Sequence, residues 1–341
     1  MTRSIHIADT YETGKTGIYF LKRFWSTIEA KKQSALEHNS FSDEWTTVTA
    51  MLDALGLGIE QLFVYLYGSN KTFEEFEDWV IERNGNIIPV EKIDRFNQLL
   101  RREKTQIPSA IDEPDVLTKA DLQFWEENGY VIIHNTISPE ACRATEELIW
   151  QYLGMDKNDR STWYKPHEDR QGIMVQLFQH PVLQANRESP RIRKAYEQLW
   201  GTSDLWVNTD RVGFNPPETN EWKYPGPAMH WDVSLILPIP FGLQGILYIT
   251  DTEAEQGAFT LVPGFQHRIE EWIHGLPPGR DPRTEDLHAL GSKPIAGKAG
   301  DFIIWHHALP HGSRPNTTTV PRIVQYINWH PASRHIKKGW V

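Results

Sequence analysis

Residues 229–232 read Met-His-Trp-Asp, and this imidazole and carboxylate two positions apart form the first pair whose spacing suggests chemistry. In a strand, side chains alternate between faces, so His230 and Asp232 would point the same way and share one metal ion. Alone, such a pair is a weak signal and reads more readily as an ordinary surface pair. It gains weight from a second element about 80 residues on, Trp305-His306-His307-Ala308-Leu309-Pro310-His311-Gly312-Ser313-Arg314-Pro315-Asn316, followed by Pro321-Arg322. A third ligand from His311 would complete two imidazoles and one carboxylate on one face of an octahedral ion. That is the facial triad of non-haem Fe(II) oxygenases, which leaves the remaining positions open. Arg322 lies in the strand that follows, and its guanidinium can grip a carboxylate with two parallel hydrogen bonds. Ser313 could add a hydroxyl donor to the same group. His306 and His307 read as structural residues, with His306 the better placed of the two to support a ligand.

The elements that must hold these residues are punctuated clearly. From Thr13 to about Lys104 the pattern is helical. Trp45, Val48, Leu52 and Leu55 recur at three- and four-residue spacing behind Ser42 and Asp43 as caps, and the run stops at Gly56 and Gly58. Phe76, Trp79 and Val80 follow a capping box of Thr72 with Glu75. These stripes are core faces by default. Thr105 to Asp115, with two prolines, reads as a linker. Beyond it, Thr118 opens a helix ending at Gly129, Tyr130 to Ile133 is a strand, and Ser138-Pro139 begins another helix. Short runs rich in β-branched and aromatic residues then follow: 205–214, 234–237, 245–250, 258–262, 301–305 and 323–329. Separated by Pro, Gly and Asn clusters, they predict an antiparallel sandwich or barrel. Two regions are therefore expected: a helical segment at 1–115 and a β-rich domain at 116–341.

Composition narrows the partners. The 341 residues carry 45 acidic and 35 basic side chains, a formal charge of -10, so no domain-wide positive field draws in nucleic acid or anionic lipid. The single cysteine, Cys142, forms no internal disulfide and reads as a small buried side chain. No apolar run is long enough for a signal peptide or a membrane span, so a cytoplasmic protein is expected.

At this point the ordered pieces resemble a known family. His230-x-Asp232, Gly257-Ala258-Phe259 through Val262-Pro263-Gly264 with His267, Gly300-Asp301-Phe302-Ile303-Ile304-Trp305, and His311-Gly312-Ser313 with Asn316 and Arg322 are similar to the phytanoyl-CoA dioxygenase family of Fe(II)/2-oxoglutarate oxygenases. The likeness runs from about Thr118 to the carboxyl end. It implies a mainly β fold, a double-stranded β-helix (jelly-roll, cupin-like) core flanked by helices and preceded here by an α-helical amino-terminal segment. It also implies Fe(II) on His230, Asp232 and His311, with 2-oxoglutarate held through its distal carboxylate by Arg322 and Ser313, and O2 as co-substrate. Such enzymes hydroxylate unactivated carbons. Further contacts to 2-oxoglutarate are expected from the strands flanking the His-x-Asp segment, with Asn208, Arg211, Gln244 and Tyr248 the candidates. Arg211, Trp231 and Arg314 are carried as substrate contacts, although Trp231, between two ligands, should point into packing and Arg314 reads more readily as a solvated loop charge. Asp232 fills the position a halide would take, which favours hydroxylation or desaturation over halogenation. Many members read Pro-Gly-Ser-His where this chain has Pro263-Gly264-Phe265-Gln266-His267, so the polar contact at that turn is expected to be lost or re-aimed.

Two other readings remain open: a jelly-roll metal enzyme without redox chemistry, such as a cupin-type isomerase or hydrolase, and a catalytically inactive binding module. Basic residues cluster only at Arg101-Arg102-Glu103-Lys104 and Lys337-Lys338, which favours a small polar metabolite, an amino acid or a natural-product scaffold over an acyl-CoA substrate. The helical segment is expected to serve as a lid, a packing element or a homodimer contact.

Overall fold

The computed structural model describes residues 6–33, 44–68, 71–103, 112–334 and 336. Ser42, Asp43, Lys104, most of the linker, His335, Lys337 and Lys338 lie outside them. The chain divides into two compact units, one of residues 1–109, 203–210 and 331–338, the other of 110–202, 211–330 and 339–341.

The first unit is helical: α1 (Leu21–Lys32), α2 (Trp45–Ala54), α3 (Ile59–Gly68), α4 (Phe73–Arg83) and α5 (Val90–Arg101). Their apolar stripes meet in one core that includes Phe24, Ile28, Val48, Met51, Leu62, Leu66, Phe76, Val80 and Phe96, and two later residues, Trp206 and Ala332, join it. Helix α2 ends as the sequence predicts. Leu57 N–H bonds back to Leu52 and Gly56 N–H to Asp53, a closure that needs the left-handed conformation Gly56 adopts at φ +60°. The predicted capping box on α4 is present, Thr72 with Glu75.

The second unit opens with α6 (Lys119–Asn128), capped by Thr118 and Asp121, and β1 (Tyr130–Ile133). Then come α7 (Pro139–Tyr152), β2 (Arg170–Gln171), β3 (Met174–Val175), α8 (Pro181–Arg187), α9 (Pro190–Trp200), β4 (Val212–Asn215) and β5 (Leu243–Tyr248). The last part holds β6 (Thr260–Leu261), α10 (Ile269–Gly275), β7 (Lys293–Pro294), β8 (Phe302–His306), β9 (His311–Gly312) and β10 (Arg322–Tyr326). Seven strands form an antiparallel sheet in the order β1-β8-β5-β10-β4-β3-β2, and three form a second sheet, β9-β6-β7. Apart from β2 and β3, the neighbours are far apart in sequence, as a jelly roll requires.

Alternation along the long sheet gives each face a task. One face lies under helices α7–α9: Gln325 accepts from Asn186 at 2.9 Å and donates to the Leu183 carbonyl, and Tyr196 donates to the Ile327 carbonyl. The other face carries Ile246 and Tyr248 from β5, Ile303 and Trp305 from β8, and Val324 from β10. These share a core with Leu261 of the second sheet, Phe259 and Phe265. Gln244, Arg322 and Asn215 fall on this inner face by the same alternation.

Two expectations are corrected. Residues 234–237 form no strand. Leu235 is buried in the core, so its apolar character records burial and not a ladder, and Pro238 and Pro240 withhold two of the backbone donors a strand would need. The His-x-Asp segment is also not a strand: only His230 is bridged, to His311.

Candidate active site

That single bridge builds the centre. His230 and His311 exchange backbone hydrogen bonds of 2.8 and 2.9 Å, which brings two residues 81 positions apart side by side. The approach is close enough that a Cβ on Gly312 would stand 2.8 Å from the Ala228 carbonyl oxygen. Asp232 then turns back from the irregular chain after His230. Its Oδ1 lies 3.4 Å from His230 Nε2 and its Oδ2 3.2 Å from His311 Nε2. Ligand atoms from all three residues lie within 4.8 Å of one another, a donor set of two imidazole nitrogens and one carboxylate oxygen that suits Fe(II).

Both imidazoles are oriented from behind by carbonyls two residues upstream. His230 Nδ1 lies 2.7 Å from the Ala228 oxygen and His311 Nδ1 3.1 Å from the Leu309 oxygen, which turns each Nε2 toward the carboxylate. The dense surroundings of the Asp232 carboxylate work against its charge even though its side chain is about half exposed, but hydrogen bonds from the two histidines prevail and hold the carboxyl far below the ordinary range. Burial likewise disfavours charge on His230, and the Asp232 carboxylate with the Ala228 carbonyl more than offsets it, raising the imidazole's pKa.

Two residues beyond His311, Ser313 Oγ accepts from Arg322 Nη1 at 2.9 Å. Arg322 is 0% exposed, and among the described residues nothing bonds to its Nε or Nη2. Those two nitrogens form the side-on fork that receives both oxygens of a carboxylate. A buried cation with its fork unfilled fits the distal end of a 2-oxo diacid.

The remaining expected residues divide. Gln244 donates to Asp232 Oδ2 at 2.8 Å, so it meets the carboxylate of the centre itself. Tyr248 donates its hydroxyl proton to the Ile295 carbonyl and accepts from Phe259 N–H, which leaves no donor for a cofactor carboxylate. Trp231 is buried, and its indole N–H donates to the Ala308 carbonyl, so it packs, as its position between two ligands implied. Arg314 is no free loop charge: it donates to Thr260 Oγ1 and Ser292 Oγ and ties β6 to the stretch before β7. Arg211 is half-buried beside β4, where its carbonyl accepts from Tyr326. Asn208 falls in the 203–210 segment counted with the helical unit, not in the unit that holds the triad. His307 bonds the Pro240 carbonyl, and His306 Nδ1 accepts from Ala308 N–H. The Gln266 and His267 side chains both turn to the Glu126 carbonyl, so that turn is re-aimed toward α6.

Sequence reading missed Asn215 and Tyr224. Asn215 is the cross-strand partner of Arg322, fully buried with its Oδ1 unpaired. The Tyr224 hydroxyl donates to the Pro227 carbonyl at 2.6 Å, and the phenol, its pKa pushed up by burial, lies close enough to Arg322 and Ser313 for both to bear on it. No local spacing announces either, because the register of β4 on β10 and an irregular loop bring them there.

This donor set, with a carboxylate fork deeper in the same jelly roll, defines a 2-oxoglutarate-dependent non-haem iron oxygenase, an enzyme class that uses Fe(II), 2-oxoglutarate and O2. The chain belongs to the phytanoyl-CoA dioxygenase (PhyH) family, whose model matches residues 125–324. Among relatives, a Dictyostelium discoideum protein named for phytanoyl-CoA dioxygenase is 25% identical over 262 residues, covering 62% of this chain and 75% of the relative. The ectoine dioxygenase of Bordetella bronchiseptica is 22% identical over 254 residues, covering 68% and 81%. Among solved structures, the non-heme alpha ketoglutarate dependent carbocyclase SnoK from nogalamycin biosynthesis is similar at 22% identity and a TM-score of 0.47, covering 65% of this chain and 87% of that one. Among the described residues, no single helix is long and apolar enough to cross a membrane.

Proposed function

We propose that this oxygenase hydroxylates an unactivated C–H bond of a small polar substrate, an amino acid or a natural-product scaffold, with 2-oxoglutarate converted to succinate and CO2. His230, Asp232 and His311 hold the iron, and Arg322 with Ser313 holds the distal carboxylate of 2-oxoglutarate. The unfilled fork of Arg322 carries the reading: a metal hydrolase or isomerase in the same jelly roll has no use for a buried carboxylate clamp.

When bound, the iron and the 2-oxo acid together supply the oxidising power for C–H cleavage. The protein's part is placement. Ser313 fixes Nη1 of Arg322, so the fork presents Nε and Nη2 in one orientation and sets the 2-oxo acid in register with the triad. Asp232 takes the third protein position and keeps a halide out of it. Buried aromatic rings close the centre from behind: the Trp305 ring lies 5.1 Å from that of His311 and 4.3 Å from that of Phe259, which excludes water on that side. Residues 116–341 carry this chemistry, and the helical segment serves as a lid, packing or dimerisation element.

The test is Fe(II)-dependent succinate release by the full chain. His230→Ala, Asp232→Ala and His311→Ala should each abolish metal binding and turnover while leaving the circular dichroism melt in place. Retention of both metal and activity in any one of them removes the ligand assignment. Succinate release screened over amino acids, natural-product scaffolds and acyl-CoA thioesters then reads the substrate class, and stimulation by an acyl-CoA alone would overturn the preference for a polar metabolite.

A further inference from the structure

Each of the three ligand side chains has one outer partner that aims it. For the two histidines it is a backbone carbonyl, Ala228 for His230 and Leu309 for His311. For Asp232 it is a side chain, the Gln244 amide at 2.8 Å. Asp232 has most need of such help. It lies outside any strand, and its side chain is 54% exposed.

Gln244 is well built for the task. It sits in β5, where its backbone pairs with Trp305 of β8, and β10 joins the other side of the strand from Ile246 onward, so the amide projects from a strand inside the sheet and not from a loop. Its amide N–H reaches Oδ2 of Asp232, and Oδ1 is left to face His230 Nε2. Directly across the ladder stands Trp305. Among the described residues, the amide oxygen of Gln244 and the indole N–H of Trp305 are both buried without hydrogen-bond partners, so none of these residues offers a competing bond that draws the amide away from Asp232.

We propose that Gln244 is a positioning residue for the metal-binding carboxylate and not a contact for 2-oxoglutarate: by holding Oδ2 it commits Asp232 to binding through a single oxygen and leaves the facing coordination positions open. The inference rests on the triad assignment above. Without the amide, the carboxylate can rotate or bind through both oxygens, which weakens the metal and blocks a position the co-substrates need.

The experiment uses the full chain under anaerobic conditions with Gln244→Glu, which keeps the shape and removes the donor, and Gln244→Met, which removes donor and acceptor. Titration with Co(II) and with Fe(II) should show metal affinity lowered by roughly tenfold to a hundredfold in both variants. At saturating metal, 2-oxoglutarate affinity, read from its charge-transfer absorption, should change by less than about threefold. The Co(II) ligand-field spectrum should also change, a signature that a merely structural side chain would not move. Unchanged metal affinity with weakened 2-oxoglutarate would make Gln244 a cofactor contact and overturn the proposal. Unchanged values of both would overturn it as well. Asp232→Ala run beside them separates the failures: metal retained there sinks the triad assignment, whereas metal lost there but kept in both Gln244 variants sinks the positioning role alone.

Discussion

Glu77 and Arg322 are both charged and both buried, at 1% and 0% exposure, one in the helical unit and one in the jelly roll. Glu77 is saturated by its surroundings. Its Oε2 accepts from Lys15 N–H at 3.0 Å, and its Oε1 accepts from Thr16 N–H and Thr16 Oγ1 at 3.1 and 2.9 Å, so the carboxylate pins the chain before α1 onto α4. Among the described residues, the Arg322 guanidinium has one hydrogen-bond partner, Ser313, and its Nε and Nη2 have none. A buried charge whose hydrogen bonds are complete is explained by the fold that completes them. One left incomplete costs stability, and the cost is rational only when a ligand of opposite charge finishes the site.

The largest expected effects come from removing each charge. Arg322→Met deletes a charge that no carboxylate among the described residues pairs with. Unfolding without 2-oxoglutarate should therefore show stability unchanged or raised by about 1–3 kcal/mol, with 2-oxoglutarate binding lost. Glu77→Ala leaves three donors of residues 15 and 16 without an acceptor and should lower stability by about 2–4 kcal/mol, with 2-oxoglutarate affinity unmoved in the protein that stays folded. A loss of stability in Arg322→Met as large as that in Glu77→Ala would mean that the arginine is structural. Arg322→Lys is milder. It keeps the charge and loses the fork, so 2-oxoglutarate affinity should fall by roughly tenfold to a hundredfold, about 1.4–2.7 kcal/mol, with metal affinity little changed. An unchanged value would turn suspicion to Arg211.

The two regions also differ in how much of each the sequence discloses. Helix α2 is written in a contiguous stripe that stops at a glycine and helix α4 in a stripe behind its capping box, whereas the observed N-cap of α2 is Glu44 without a side-chain bond; α6, β1 and α7 obey the same local rules. The triad is legible because a spacing of two and a later histidine in a dense motif are rare in combination. Other features depend on cross-strand register. Asn215 reaches Arg322 only because β4 pairs with β10, and Gln244 reaches Asp232 only because a loop folds back over β5. The apolar run at 234–237 misled because core burial and strand pairing select the same residues.

A pH-dependent effect comes from His306 at the end of β8. Burial, reinforced by the neighbouring His307 and His267, pulls its pKa from 6.5 down to about 3. The unfolded chain therefore takes up a proton at this position before the folded one does. Stability should be fully present above about pH 6.5 and fall as the pH drops toward 3, by at most about 1.4 kcal/mol per pH unit from this residue. His306→Gln should flatten that slope in unfolding curves recorded between pH 4 and 7. Identical slopes in the two proteins would mean that the imidazole reaches water more freely than its surroundings indicate.

The smallest expected effect sharpens the comparison most directly, because the same device occurs in both units with the same dimensions. In the helical unit Thr72 Oγ1 accepts from Glu75 N–H at 3.2 Å and Glu75 returns an acceptor to Thr72 N–H at 2.8 Å. In the jelly-roll unit Thr118 and Asp121 do the same at 3.2 and 2.8 Å. Each box satisfies two donors that a helix start leaves open, so Thr72→Ala and Thr118→Ala should each cost about 1 kcal/mol in unfolding experiments. Neither threonine touches the triad or the fork, and 2-oxoglutarate affinity should stay within about twofold in both variants. If Thr118→Ala and Thr72→Ala both meet these values, the caps are purely local devices and chemical specialisation is confined to the orphaned groups of the jelly roll. A tenfold loss of 2-oxoglutarate affinity in Thr72→Ala would show that the order of α4 is coupled to the clamp, and the helical unit would then belong to the catalytic machinery.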